Sequence, residues 1–141
     1  MNEREIISLI SKVRENANSF IIAQMEAWGI KGLVTSHGDI LCELFENGKL
    51  SMKDLTEKIG RDKSTVTVLV DKLLKHGYVD KARDDEDNRI VFVTLTKKGD
   101  ELRPMFETIS KELIATAYKE ISQEEKERLI ETLKKIKNNF N

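Results

Sequence analysis

Side chains able to do covalent or metal chemistry are few and scattered in this chain. Two histidines, His37 and His76, lie far apart, and the single cysteine, Cys42, has no second thiol at a metal-binding or disulfide spacing. No HExxH, glycine-rich phosphate loop or nucleophile elbow is present, so no catalytic residue, no metal site and no cofactor is expected. The densest chemistry is ionic. In RDDEDNRIVFVTLT, residues 83 to 96, four acids from Asp84 to Asp87 stand between Arg83 and Arg89 and run into β-branched and aromatic residues. Carboxylates repel phosphate and guanidinium groups attract it, so the use of this stretch depends on which group is presented and which supports it.

The elements that must position it are legible from periodicity. Ile6, Ile7, Leu9, Ile10, Val13, Ala17, Phe20, Ile21 and Met25 recur mostly at three- and four-residue intervals and predict a long helix over residues 3–27. After a break at Gly29 and Gly32, Thr35 or Ser36 is a predicted N-cap for a helix carrying Ile40, Leu41, Leu44 and Phe45, with Gly48 as its stop. A short helix follows, capped by Ser51 with Asp54 in the reciprocal position and ended by Gly60. Asp62 then caps a helix whose inward side is Val66, Leu69, Val70, Leu73 and Leu74 and which stops at Gly77. Two short helices joined this tightly predict a helix-turn-helix.

YVDKAR and RIVFVTL change to the extended period and predict a hairpin. From Thr96 a long helix is expected with Leu102, Met105, Phe106, Ile109, Leu113, Ile114 and Ala117 inward, bent or loosened at Pro104. Ser122 and Glu125 predict a capping box for a last helix bearing Leu129, Ile130, Leu133, Ile136 and Phe140. The fold class is therefore mainly α with a small β-hairpin (α+β), a winged helix-turn-helix. The 141 residues make one expected domain, 1–141, with a lobe at 33–99 and flanking helices at 1–28 and 100–141. The apolar stripes of those flanking helices exceed what the small middle module could cover, which predicts a homodimer.

Charge points the same way. Residues 49–98 hold 12 basic against 9 acidic residues, whereas residues 1–48 hold 4 against 7 and residues 99–141 hold 8 against 9. The base thus sits in the middle, as a DNA-contacting face requires. A step of 100° per residue from the inward side of the 62–77 helix brings Ser64, Thr65, Val68, Asp71, Lys72 and Lys75 to the opposite face. Hydroxyls there reach base edges or phosphates, Val68 meets a thymine methyl, and lysines pair with phosphates. The alternative is an ordinary solvated helix face. No apolar run approaches the roughly 20 residues of a membrane span and MNEREIISLI lacks the plan of a secretion signal, so a cytoplasmic protein with no membrane partner is expected.

KSTVTVLVDKLLKHGYVDKARDDEDNRIVFVTLTKKG resembles the MarR family (multiple-antibiotic-resistance regulator type) of homodimeric DNA-binding repressors, most specifically over residues 62–99. The marks are Arg83, the unit Asp87-Asn88-Arg89, and Leu95-Thr96-Lys97-Lys98-Gly99. The resemblance implies that Asp87 holds arginine in place and that Arg89 is offered to the minor groove of double-stranded DNA, where negative potential is concentrated. On that reading Asp84, Asp85 and Glu86 are a solvated turn. The DNA-binding set is Lys63, Ser64, Thr65, Thr67, Val68, Lys72, Lys75, Arg83, Asp87 and Arg89. Val68, Asp85 and Asn88 stand where the family commonly has a basic residue, a proline and a second arginine, which predicts weaker operator binding. The resemblance further implies a ligand-responsive repressor on a pseudo-palindromic operator, with a small aromatic or anionic effector lined by Arg14, Trp28 and His37 from their position near the lobe junction. Two rivals stand beside this reading: a redox-sensing regulator using Cys42, whose place between Leu41 and Leu44 predicts instead a buried small hydrophobe, and a winged helix that binds protein without reading DNA. His37 is expected to cap or shape the loop rather than to bind zinc with Cys42.

Overall fold

In the computed structural model, which describes residues 2–141, the chain forms two compact units, one ending at Ile109 and one covering Ser110–Asn141. The first opens with α1 (Arg4–Ala27), whose stripe does not find cover within the chain: Met25 is its one buried residue, while Ile6, Ile7, Leu9, Ile10 and Val13 are 40–64% exposed. After a connector with Gly29 and Gly32 at positive φ comes α2 (Thr35–Asn47). Its N-cap is Val34 rather than Thr35 or Ser36. Valine has no side-chain acceptor, and the work is done by His37, whose Nδ1 accepts a hydrogen bond from the Val34 N–H at 2.9 Å.

A strand that the sequence pattern does not reveal, β1 (Lys49–Ser51), precedes α3 (Met52–Ile59). Three residues are too few to show a period. Ser51 closes the strand and caps the helix, its Oγ accepting from the Asp54 N–H at 3.0 Å. Helix α4 (Lys63–Lys75) starts as expected at Asp62, which accepts from the Thr65 N–H at 2.7 Å. Val66, Val70 and Leu73 are buried and Leu69 half-buried, but Leu74 lies outside the expected inward side, 40% exposed. The hairpin is β2 (Val79–Arg83) and β3 (Val91–Leu95), antiparallel, and β3 also pairs with β1, so the sheet order is β1-β3-β2. The core gathers Met25, Ile40, Leu41, Leu44, Leu55, Val66, Val70, Leu73, Val79 and Val93 with Met105 and Phe106.

The long helix expected from Thr96 is broken in two. Thr96 caps only α5 (Lys97–Asp100), accepting from the Gly99 N–H at 3.0 Å while its hydroxyl donates to the Gly77 carbonyl at 2.6 Å. The chain restarts as α6 (Arg103–Ala117) with Pro104 in its first turn, where a missing N–H costs no helical bond. Arg103 fixes the joint: its guanidinium donates to the Phe45 carbonyl at 3.0 Å and to Asp100 at 2.8 Å.

In the second unit α6 runs out at Ala117 and α7 (Gln123–Asn139) begins at the expected capping box, with Ser122 Oγ accepting from Glu125 N–H at 3.1 Å and Glu125 Oε1 accepting from Ser122 N–H at 3.3 Å. Ile114 and Ala117, expected inward, are exposed, as are Leu129, Ile130, Leu133 and Phe140, and α7 has no buried residue.

Candidate nucleic-acid interface

Asp62 does more than start α4. Its carboxylate also accepts from the Ser64 hydroxyl at 3.0 Å, and hydrogen bonds from Thr65 and then Ser64 hold its carboxyl below the usual range. Beyond it, Lys63, Ser64 and Val68 are exposed and Thr65 and Thr67 half-buried, with the Thr67 hydroxyl donating to the Lys63 carbonyl at 2.8 Å. Val68 is 68% exposed, a large apolar side chain kept in water by the fold. Lys75 is exposed on a later turn of the same helix. Lys72 is placed differently: it is half-buried and donates to the Gly32 carbonyl in the α1–α2 connector. Asp71 is offset by Lys81 of β2, whose ammonium lies 3.1 Å from its carboxylate and ties the hairpin to α4.

The hairpin tip is built from its acids. Asp87 receives Arg89 through two parallel bonds, Nε to Oδ1 and Nη2 to Oδ2, each 3.0 Å, and a third from the Arg89 N–H at 3.0 Å. Such a fork leaves the guanidinium one orientation. Pairing with Arg89 holds the Asp87 carboxyl below its ordinary range, and pairing with Asp87 raises Arg89 above its own. The Arg89 side chain nevertheless remains 91% exposed. Arg83 is held by no acid: its guanidinium donates to the Asn88 carbonyl at 2.7 Å. Asp84 is half-buried rather than a bystander, and its carboxylate accepts from the Asp87 N–H at 3.2 Å while its own N–H donates to the Ile90 carbonyl at 2.9 Å. Asp85 and Glu86 are exposed.

A groove runs between α3, the start of α4 and β3, lined among others by Lys53, Lys63, Lys81, Arg89, Met52 and Phe92. Lys53 and Lys81 escape a sequence reading because nothing local marks a lysine on a short helix or strand as facing a neighbour. Arg14, Trp28 and His37 do not line this groove. Arg14 and Trp28 are exposed, whereas His37 is 5% exposed. Burial first, then the charges of Lys72 and His76, push the His37 pKa below its ordinary value, so the ring is neutral and free to accept from Val34. Cys42, expected to be buried, is exposed in the single chain; partial desolvation, then Asp39 and Glu43, push its thiol up to about 11. Among the described residues no cluster of His, Cys, Asp or Glu could hold a metal ion.

A family model described as MarR family matches residues 35–91. The HTH-type transcriptional regulator SarZ of Staphylococcus haemolyticus is 39% identical over 93 residues, 65% of this chain and 62% of that protein. The uncharacterized HTH-type transcriptional regulator YdgJ of Bacillus subtilis is 32% identical over 131 residues, 90% of this chain and 76% of the relative. The chain belongs to the MarR family. A mutant MarR from E. coli complexed with operator DNA superposes with a TM-score of 0.82 over 94% of this chain and 93% of that one, at 20% identity, a likeness of fold. Within the MarR frame the Arg89 fork is the tip of the wing and α4 the second helix of the helix-turn-helix.

Proposed function

We infer that the protein is a sequence-specific transcriptional regulator of double-stranded DNA, a homodimeric, ligand-responsive repressor acting on a pseudo-palindromic operator. One observation carries this reading: Arg89 is almost fully exposed and yet held in a single orientation by Asp87, on the same side chain that a minor-groove probe requires. A solvated surface arginine has no need of a two-pronged carboxylate, and exposed pairs of this kind contribute little to stability. From α4, Ser64, Thr65 and Val68 face base edges, while Lys63 and Lys75 face phosphates. The E. coli protein of the same fold was solved with operator DNA, which supports the same use of the helix and wing here.

The second copy is called for by the exposed stripes of α1 and α7, and it sets two copies of α4 about one helical turn apart on the duplex. The reading makes the protein a non-enzymatic, cytoplasmic regulator, in keeping with the lack, among the described residues, of a helix long and apolar enough to cross a membrane. A small aromatic or anionic effector is part of it, with Arg14, Trp28 and His37 lying outside the groove beside α3 and β3. The redox alternative is the less supported of the two, because burial pushes the Cys42 thiol up to about 11, which makes it a poor thiolate source. The test is a mobility shift on the DNA upstream of the protein's own gene, with Arg89→Ala beside the wild type. Specific binding that the substitution weakens about tenfold supports the reading; no specific shift, or one indifferent to Arg89, ends it.

A further inference from the structure

Lys72 stands on the α4 face that a helical projection assigns to phosphate, yet its ammonium is elsewhere. It donates to the Gly32 carbonyl, 40 residues back in the chain, in the connector that leads from α1 into α2. Leu33, 2% exposed, and half-buried Ile30 anchor that connector to the core, while Lys72 gives it a polar tie to α4. Gly29 and Gly32 both take positive φ, +89 and +85, so glycine occupies the two bends without any side chain that could pack. The backbone bonds at its ends run from the Ile30 N–H to the Met25 carbonyl at 2.9 Å and from the Val34 N–H to His37 Nδ1 at 2.9 Å. Between those two points Lys72 makes the side-chain bond that joins the connector to α4, and a Cβ placed on Gly32 would lie 3.8 Å from Nζ.

We propose that Lys72 is a positioning residue rather than a phosphate contact: it pins the DNA-reading helix to the connector that follows α1, and so sets how far apart the two copies of that helix stand. The proposal rests on the homodimeric DNA-reading function argued above and adds to it the residue that determines half-site spacing. The Gly32 carbonyl takes one of the three donors of the ammonium, so geometry alone does not bar a phosphate from another, and the two roles are told apart by what removal of the charge does to half-site spacing and to the salt slope.

Two measurements on the full chain decide it, using Lys72→Met, which keeps the stem and removes the charge and donors, and Lys72→Arg, which keeps both. The first is hydrogen exchange at the backbone amides of residues 30–37 in the DNA-free protein. The methionine variant should exchange at least about tenfold faster there, and the arginine variant should return towards wild type. Exchange unchanged in Lys72→Met overturns the clamp. The second is affinity for duplexes whose half-site spacing is native or altered by one base pair, across a salt series. Wild type should discriminate; Lys72→Met should lose about tenfold of that discrimination with its salt slope unaltered. A slope that falls by about one unit with spacing preference intact overturns the positioning role and returns Lys72 to phosphate. If wild type shows no specific duplex binding, the functional reading fails on that result, while the exchange experiment still settles the clamp.

Discussion

At the scale of single residues, the wing turns carboxylates, which oppose DNA, into a mount for a guanidinium. Arg89→Ala should lower operator affinity by about 1–2 kcal/mol while leaving the thermal midpoint unchanged, since the side chain is exposed. Binding isotherms and a melting curve on the same sample test both halves. His37 yields a pH effect of definite sign. Its folded pKa lies below the ordinary 6.5, so the unfolded chain binds the extra proton first; the stability it contributes is complete above about 6.5 and is lost progressively as pH falls from there through the lower folded pKa. Midpoints recorded between pH 7.5 and 5.5 should therefore fall, and fall less in His37→Asn, which keeps an acceptor without the titration. Cys42, at about 11, should react with iodoacetamide about a hundredfold more slowly than a thiol at its ordinary 9.0, because the thiolate fraction scales with the shift. Fast labelling would reopen the oxidant-sensing alternative. Caps made by Ser51, Asp62 and Ser122 are legible because a hydroxyl or carboxylate at the helix start has one common use. The His37 cap is not, because an imidazole nitrogen reaching back three residues is rare enough that Thr35 and Ser36 look better.

At the scale of elements, periodicity identifies α1 to α4 and the hairpin, whose apolar positions repeat often enough to show a face. Two features stay hidden. β1 is three residues long and owes its existence to β3, with Leu50 opposite Val93. The break between α5 and α6 depends on Arg103 finding a carbonyl 58 residues away, which no local pattern encodes. The junction of β3 with α5 has no room for a side chain at Gly99, where a Cβ would lie 2.0 Å from the Tyr78 carbonyl oxygen and 3.1 Å from Leu95. Because the first obstacle is backbone, Gly99→Ala should cost more than about 2 kcal/mol in urea unfolding. A near-neutral result would mean that the strand-to-helix turn can shift without loss.

At the scale of the whole molecule, the number of copies matters most. Ile10 on α1 and Leu129 on α7 are 40% and 46% exposed in the single chain, and a second copy is what the function asks to cover them. Ile10→Glu and Leu129→Glu should each shift sedimentation towards the monomer and reduce operator affinity by at least about a hundredfold, since the second half-site is no longer delivered by the first. A dimer unaffected by both would move the interface elsewhere. The outward stripes are readable as apolar and their excess over the lobe predicts the second copy; which residues meet across the seam depends on how two chains dock, and periodicity along one chain does not encode it.

The sheet order leaves β2 with a ladder partner on one side, among the described residues, and bare amides and carbonyls along its other margin. Such a margin invites a stranger's backbone to continue it. Asp80, Lys81 and Arg83 put charge along that strand, so a copy added parallel and in register would set Asp80 on Asp80, Lys81 on Lys81 and Arg83 on Arg83. Charge on this margin opposes in-register stacking, and replacing those three residues with valine or threonine should raise light scattering at fixed concentration as the strand becomes a seed for aggregation.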